Sequence, residues 1–310
     1  MSRHFLSGAE LDRATLEALL ERALELKAAP LSSAALAGRS VALIFERPST
    51  RTRISFEVGI VELGGHAAVL RADELQISRG ESLRDTALVL SRQVAAIGLR
   101  SGSDQVLEQL AEHASVPVFN MLTPREHPCQ ALADLLTIRE AYGHLQGLRI
   151  AYVGDSNNVA RSLARLGLLA GMEVVLASPP GFALGQEEAQ GLLADAAASD
   201  RPGVIAAPQL LSDPRAAAAG ANVLYTDVWV SMGEEESAER RRSALAPYRV
   251  DDELLDLAAD GAFALHCLPA HPGEEITAEV LYGPRQRIWE QAENRRHAQK
   301  ALLEWLLEAG

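Results

Sequence analysis

One segment concentrates groups suited to an anion. FERPSTRTR, residues 45–53, follows the apolar run VALIF (41–45) and precedes a helical pattern that begins near Ser49. A helix start presents unpaired backbone N–H groups and the positive end of the helix dipole. Ser49, Thr50 and Thr52 add hydroxyls, and Arg51 adds a planar donor fork matched to phosphate oxygens. The same residues would also make an ordinary capped helix with solvated arginines. HPCQ (127–130) sets His127 and Gln130 three apart, so one turn of helix aims both at one point. An imidazole and an amide suit a neutral carbonyl and its NH2 group. Arg100 directly follows the apolar run 95–99.

A second set occurs later. VGDSNN (153–158) stands where a dinucleotide-binding turn would, but lacks G-x-G-x-x-G. Asn157 and Asn158 there offer amides at a helix start, suited to a carboxylate. DVWVSMG (227–233) supplies Asp227 for an ammonium group, with Ser231 and the Met232–Gly233 backbone as polar contacts. HCLP (266–269) contains Cys267, either a tuned thiol or a small buried residue; burial is the commoner fate.

These residues need elements to position them. Helical spacing of Leu11, Leu16, Leu19, Leu20 and Leu24 predicts a helix over 9–27, ended by Pro30. Short β-rich runs then alternate with helical patterns: 41–45, 67–70, 95–99 and 116–119, then 148–153, 173–177, 204–207, 222–226 and 263–267. This alternation predicts an α/β protein with two doubly wound parallel-sheet domains joined by helices. One domain spans 1–143 and is completed by a C-terminal helix at 290–310; the other spans 147–289. The unusual residues follow the strands, where parallel sheets bind ligands.

Composition narrows the classes. A chain of 310 residues exceeds what one core usually serves. Its net charge of −13 argues against nucleic acid as a partner. No apolar run approaches the roughly 18 residues of a membrane span, and MSRHFLSGAE has no apolar signal region. Two cysteines, Cys129 and Cys267, exclude a disulfide framework and fit a reducing cytoplasm. No zinc-type ligand spacing occurs, so no metal is expected; an organic cofactor is not expected either.

Taken together the segments resemble the aspartate/ornithine carbamoyltransferase family. The similarity runs from RHFLSG near the start to AENRRHAQKALLEWLL at the end. STRTR and HP-x-Q carry the match to carbamoyl phosphate binding; SMG and HCLP point to the ornithine-specific branch. The resemblance implies that Ser49, Thr50, Arg51 and Thr52 grip the phosphate. It implies that Arg100, His127 and Gln130 hold and polarise the carbamoyl group, with Arg295 closing onto it. Asn158, Asp227, Ser231 and Met232 would hold the α-carboxylate and α-amine of L-ornithine, and Cys267 and the Leu268 carbonyl its side-chain amine. Arg100, His127, Cys267 and Arg295 would form the catalytic group. Gln76 aligns with a residue that reaches a neighbouring subunit's site, which implies a homotrimer or a multiple of trimers. The implied reaction yields L-citrulline and phosphate in arginine metabolism, in either direction. N-acetylornithine or putrescine are the alternative acceptors. Carbamoyl phosphate would bind first, and residues 230–240 would form a mobile lid. Two positions depart from the family pattern: Arg47 stands where Lys is common, and Pro272 where Arg is common.

Overall fold

A computed structural model describes residues 2–75, 80–198, 206–230 and 235–308. The backbone divides into two compact units, residues 1–136 with 293–310, and residues 137–292.

The first unit opens with α1 (Arg13–Ala28). Asp12 caps it by accepting the Thr15 N–H at 2.7 Å, so the helix starts four residues later than its apolar spacing alone predicts. Then follow β1 (Ser40–Phe45), α2 (Thr50–Glu62), β2 (His66–Arg71), α3 (Leu83–Leu90), β3 (Ala96–Arg100), α4 (Asp104–His113), β4 (Val118–Leu122) and α5 (Pro128–Tyr142). The strands are parallel in the order β2-β1-β3-β4. Helices cover the central strands, which explains why β1 and β3 read as continuous apolar runs rather than alternating ones. Gly98 in β3 is required by packing: a Cβ there would stand 2.4 Å from a ring carbon of Phe119.

The second unit continues with β5 (Arg149–Val153), α6 (Asn158–Leu169), β6 (Glu173–Ala177), α7 (Gln186–Ala198), β7 (Gln209–Leu211), α8 (Pro214–Ala218), β8 (Val223–Thr226), α9 (Ala238–Leu245), α10 (Asp252–Leu255), β9 (Phe263–His266) and α11 (Ala278–Tyr282). Its parallel sheet has the order β7-β6-β5-β8-β9. The strand expected at 204–207 is displaced. Residues 204–205 lie outside the described residues, 206–207 are not in a strand, and β7 begins at Gln209. Pro208 has no N–H to give the ladder, so pairing starts just after it.

The last helix, α12 (Ile288–Leu307), returns the chain to the first unit. Polar bonds fix it there. Arg22 donates to Glu304 at 2.6 Å, and Lys27 to Asn294 at 2.8 Å. The buried Lys300 donates to Glu62 at 2.6 Å and to the carbonyls of Leu26 and Pro30.

Strand order locates the ligand end of each sheet. In the first, the chain turns back between β1 and β3; in the second, between β5 and β8. Ligands of doubly wound sheets bind beyond the carboxyl ends of strands at such reversals. The segments after β1 and β3 begin at Glu46 and Ser101. Those after β5 and β8 begin at Gly154 and Asp227.

Candidate active site

In the first unit, Ser49 caps α2. Its Oγ accepts the Thr52 N–H at 3.4 Å and donates to Thr52 Oγ1 at 3.0 Å. Thr50 is exposed and Arg51 half-buried in the first turn, while Thr52 is buried. Behind this turn, Arg295 of α12 donates to Thr52 Oγ1 at 2.8 Å and to Gln130 Oε1. Gln130 in turn donates to Asp134 Oδ1 at 2.8 Å. The structure thus joins Thr52, Gln130 and Arg295, from three elements far apart in sequence. Arg100 ends β3 and is buried, with its carbonyl accepting the Glu46 N–H at 3.0 Å.

His127 lies just before α5 and is buried. Burial, then the positive charges of Arg295 and Arg100, push its imidazole well below the usual histidine range. It is therefore a neutral ring that can hydrogen-bond a carbonyl rather than a standing cation. Arginines, a neutral imidazole, an amide and an open helix start are the groups a phosphorylated, carbonyl-bearing anion would need.

In the second unit, Asp227 is buried after β8. Its Oδ2 accepts from Asn157 Nδ2 at 2.8 Å, and its Oδ1 from the Cys267 thiol at 2.8 Å. Asn157 also caps α6, accepting the N–H groups of Val159 and Ala160 through Oδ1. Its amide is thus committed within the protein, and Asn158, the residue expected to meet a carboxylate, is the first residue of α6. Cys267 is only half-buried, contrary to the commoner expectation for an isolated cysteine. Leu268 follows with φ +61°, the one left-handed non-glycine among the described residues.

Gln76, Ser231 and Met232 lie outside the described residues. Of the expected lid, Glu235–Ser237 form a short 3-10 turn and Ala238 opens α9; just beyond it, Arg241 pairs with Asp155 and donates to the Trp229 carbonyl at 2.6 Å. Pro272 stands in a short turn in which Gly273 N–H bonds Ile276 O at 2.9 Å. Arg47 is exposed after β1.

Three structural partners were missed from sequence. Glu46 Oε2 accepts from Ser101 Oγ and Gly102 N–H, both at 2.7 Å, and so ties the turn after β1 to that after β3. Asp134 anchors Gln130 from one helical turn on, a spacing that could have revealed it. Glu275 faces His266 at 3.1 Å across nine residues, with no periodicity to mark it. Among the described residues, two groups bring metal-type ligand atoms within 4.8 Å of one another: Asp227, His266 and Cys267, and His271, Glu274 and Glu275. In the first, the thiol is already bonded to Asp227, and the His266 ring to Leu268 and Glu275.

Fold and site together define a two-unit, doubly wound α/β protein, with arginines, hydroxyls and a neutral imidazole after the strands of the first sheet and a buried carboxylate beside an amide and a thiol after those of the second. Comparison with known proteins specifies the class further. Residues 3–140 match the carbamoyl-P binding domain of aspartate/ornithine carbamoyltransferase, and residues 146–306 its Asp/Orn binding domain. An ornithine carbamoyltransferase of Acidothermus cellulolyticus is 53% identical, covering 100% of this chain and 98% of that one. The crystal structure of the Pyrococcus furiosus ornithine carbamoyltransferase is 44% identical, with a TM-score of 0.91 over 97% of this chain and 96% of that one. An N-acetyl-L-ornithine transcarbamylase mutant is 32% identical, with a TM-score of 0.87 over 98% and 99%. The chain belongs to the aspartate/ornithine carbamoyltransferase family.

Proposed function

We infer that the chain transfers the carbamoyl group of carbamoyl phosphate to the side-chain amine of L-ornithine, giving L-citrulline and phosphate. The observation that carries the choice of acceptor is Asp227. Its carboxylate is buried and oriented by Asn157 and Cys267, which suits an ammonium-bearing amino acid. An acetylated α-nitrogen would give that carboxylate no cation, and putrescine would give Asn158 no carboxylate. Aspartate would call for added cations, and the relatives with the higher identities above are named for ornithine.

In this reading residues 1–143, with the C-terminal helix, form the carbamoyl phosphate domain, and residues 147–289 the ornithine domain. Ser49, Thr50, Arg51 and Thr52 grip the phosphate, and Gln130 and Arg295 hold the carbamoyl end. Arg100 and His127 stabilise charge developing on the carbamoyl oxygen; losing one such donor typically costs about 10²–10³ in rate. Asn158, Asp227, Ser231 and Met232 hold the amino-acid end of ornithine. Cys267 and the Leu268 carbonyl orient its side-chain amine. That amine must react neutral, although a free alkyl amine has a pKa of about 10.4. Exclusion of water favours the neutral form. The amine nitrogen attacks the carbamoyl carbon, the bond from that carbon to the phosphate oxygen breaks, and a proton from the amine leaves with the phosphate. The chain's own groups suffice for these steps without a metal or organic cofactor.

A homotrimer, or a multiple of trimers, is proposed with Gln76 reaching a neighbouring subunit's site. Supporting it are exposed apolar side chains on the first unit: Ile54, Val58 and Val61 along one side of α2 and, separately, Leu88 and Val89 on α3. Among the described residues no helix is long and apolar enough to cross a membrane. Two unpaired cysteines support a cytoplasmic setting, and the charge of −13 supports small-molecule rather than nucleic-acid partners.

The test is one assay of carbamoyl transfer with ornithine, N-acetylornithine, putrescine and aspartate as acceptors. Ornithine is expected to exceed the others in kcat/KM. Preference for any other acceptor would replace this reading.

A further inference from the structure

We propose that Glu275 is a positioning residue for the amine-acceptor side of the site, acting through His266 on the Cys267–Leu268 turn. The proposal deepens the ornithine reading and rests on it.

Glu275 follows β9 by nine residues and is fully buried. Its Oε1 accepts the His271 N–H at 2.6 Å and lies 3.1 Å from His266 Nε2. His266 is also fully buried, and its other ring nitrogen, Nδ1, accepts the Leu268 N–H at 2.8 Å. A ring nitrogen that accepts presents a lone pair and carries no proton. The imidazole proton therefore sits on Nε2 and is donated to Glu275.

Leu268 needs such support. Its φ of +61° brings Cβ close to backbone atoms, a conformation non-glycine residues rarely adopt. The His266 ring holds the peptide between Cys267 and Leu268 through the Leu268 N–H. Glu275 holds the far end of the loop through the His271 N–H. The His266 N–H donates to Gln291 Oε1 at 3.0 Å, so the backbone before the turn is fixed too. Between these supports the Cys267 thiol meets Asp227. Glu275 thus selects the ring tautomer, the tautomer fixes the peptide plane, and the plane sets the groups assigned to the ornithine amine. Gln at 275 could instead offer its NH2 to Nε2. That would move the ring proton to Nδ1 and set it against the Leu268 N–H.

The test uses the full chain labelled with 15N-histidine, the His266 signals being assigned by their loss in H266N. The wild type is expected to show a protonated Nε2 and an unprotonated Nδ1. E275Q is expected to lose that signature and to raise the ornithine KM about ten- to hundredfold, the loss associated with one hydrogen bond to a charged group. Carbamoyl phosphate binding, measured by calorimetry, should change less than about twofold, because these groups all lie in the second unit. E275D, which keeps the carboxylate, should recover part of the ornithine affinity. A wild-type His266 protonated at Nδ1 would overturn the proposal even if E275Q failed to fold. So would E275Q with unchanged ornithine kinetics, or with both substrates weakened in parallel. A wild type that does not carbamoylate ornithine would overturn the earlier reading instead, and the tautomer result would stand apart from it.

Discussion

Asp227→Asn is the substitution that separates the two substrates. The change is isosteric, so packing is kept while the charge is removed. Asp227 is 6% exposed, which leaves little water to screen its interaction with an ammonium group. The loss has two parts. The ornithine α-ammonium loses its counter-charge, a hydrogen bond to a charged group worth about 1.5–3 kcal/mol. In addition, both carboxylate oxygens now accept, from Asn157 and from Cys267, and the new NH2 must face one of those donors. That mismatch adds about 1 kcal/mol or more. A total of about 2.5–4 kcal/mol corresponds to a rise in ornithine KM of roughly 70- to 900-fold. Both partners lie in the second unit, so the Kd for carbamoyl phosphate should be unchanged. Steady-state kinetics over a wide ornithine range, with calorimetry for carbamoyl phosphate, reads both quantities. An ornithine KM within twofold of wild type would refute the assignment of Asp227 to the amino-acid end.

Arg51→Ala should abolish measurable carbamoyl phosphate binding while leaving the melting temperature within a few degrees, since Arg51 is only half-buried. Gly98→Ala should destabilise the first unit by about 1–3 kcal/mol, as the new methyl meets the Phe119 ring at 2.4 Å; denaturant unfolding checks it. Acid should weaken the fold before the carboxylates titrate. Burial, then Arg296, Lys300 and Lys27, lower His297 to about 4, against the partial opposing effect of Glu62. The unfolded chain binds this proton near pH 6.5 and the folded chain only near 4, so the stabilisation is complete above 6.5 and is lost as pH falls toward 4. The contribution is at most about 3 kcal/mol, and His297→Gln should flatten the pH dependence of unfolding over that window.

Much of the fold was legible because buried parallel strands must be apolar throughout. VALIF, AAIGL and EVVLA each mark their strand within a residue. The Ser49 cap was legible because few residue types can satisfy a helix start. Strand order was not, because every run reads alike and only the assembled sheet shows where the chain reverses. β7 escaped because it is a three-residue edge strand whose start is set by Pro208 rather than by its own pattern. In the site, groups next to strand ends stood out, whereas their supports did not. Arg295 meets Gln130 across 165 residues, a distance no local periodicity encodes; only family resemblance pointed to it. Glu46 and Glu275 look like ordinary surface acids until their partners are seen. Asn157 and Asn158 look alike in sequence, and are told apart only by the bond from Asn157 to Asp227.

The electrostatics of His127 connect these placements to the chemistry. The chain carries −13, yet the charges that act on this buried ring are those of Arg295 and Arg100. Burial first, and then this positive field, keep the imidazole neutral, so the ring can offer an N–H to a carbonyl without adding a further cation. The field also favours the negative charge that would build on the carbamoyl oxygen during attack. Asp134, a carboxylate of the first unit, bonds Gln130, while the carboxylate proposed for the α-ammonium, Asp227, belongs to the second unit. In the proposed reading charge is thus sorted by role, with cations assigned to the carbonyl to be attacked and the Asp227 carboxylate to the end of the amino acid that does not react.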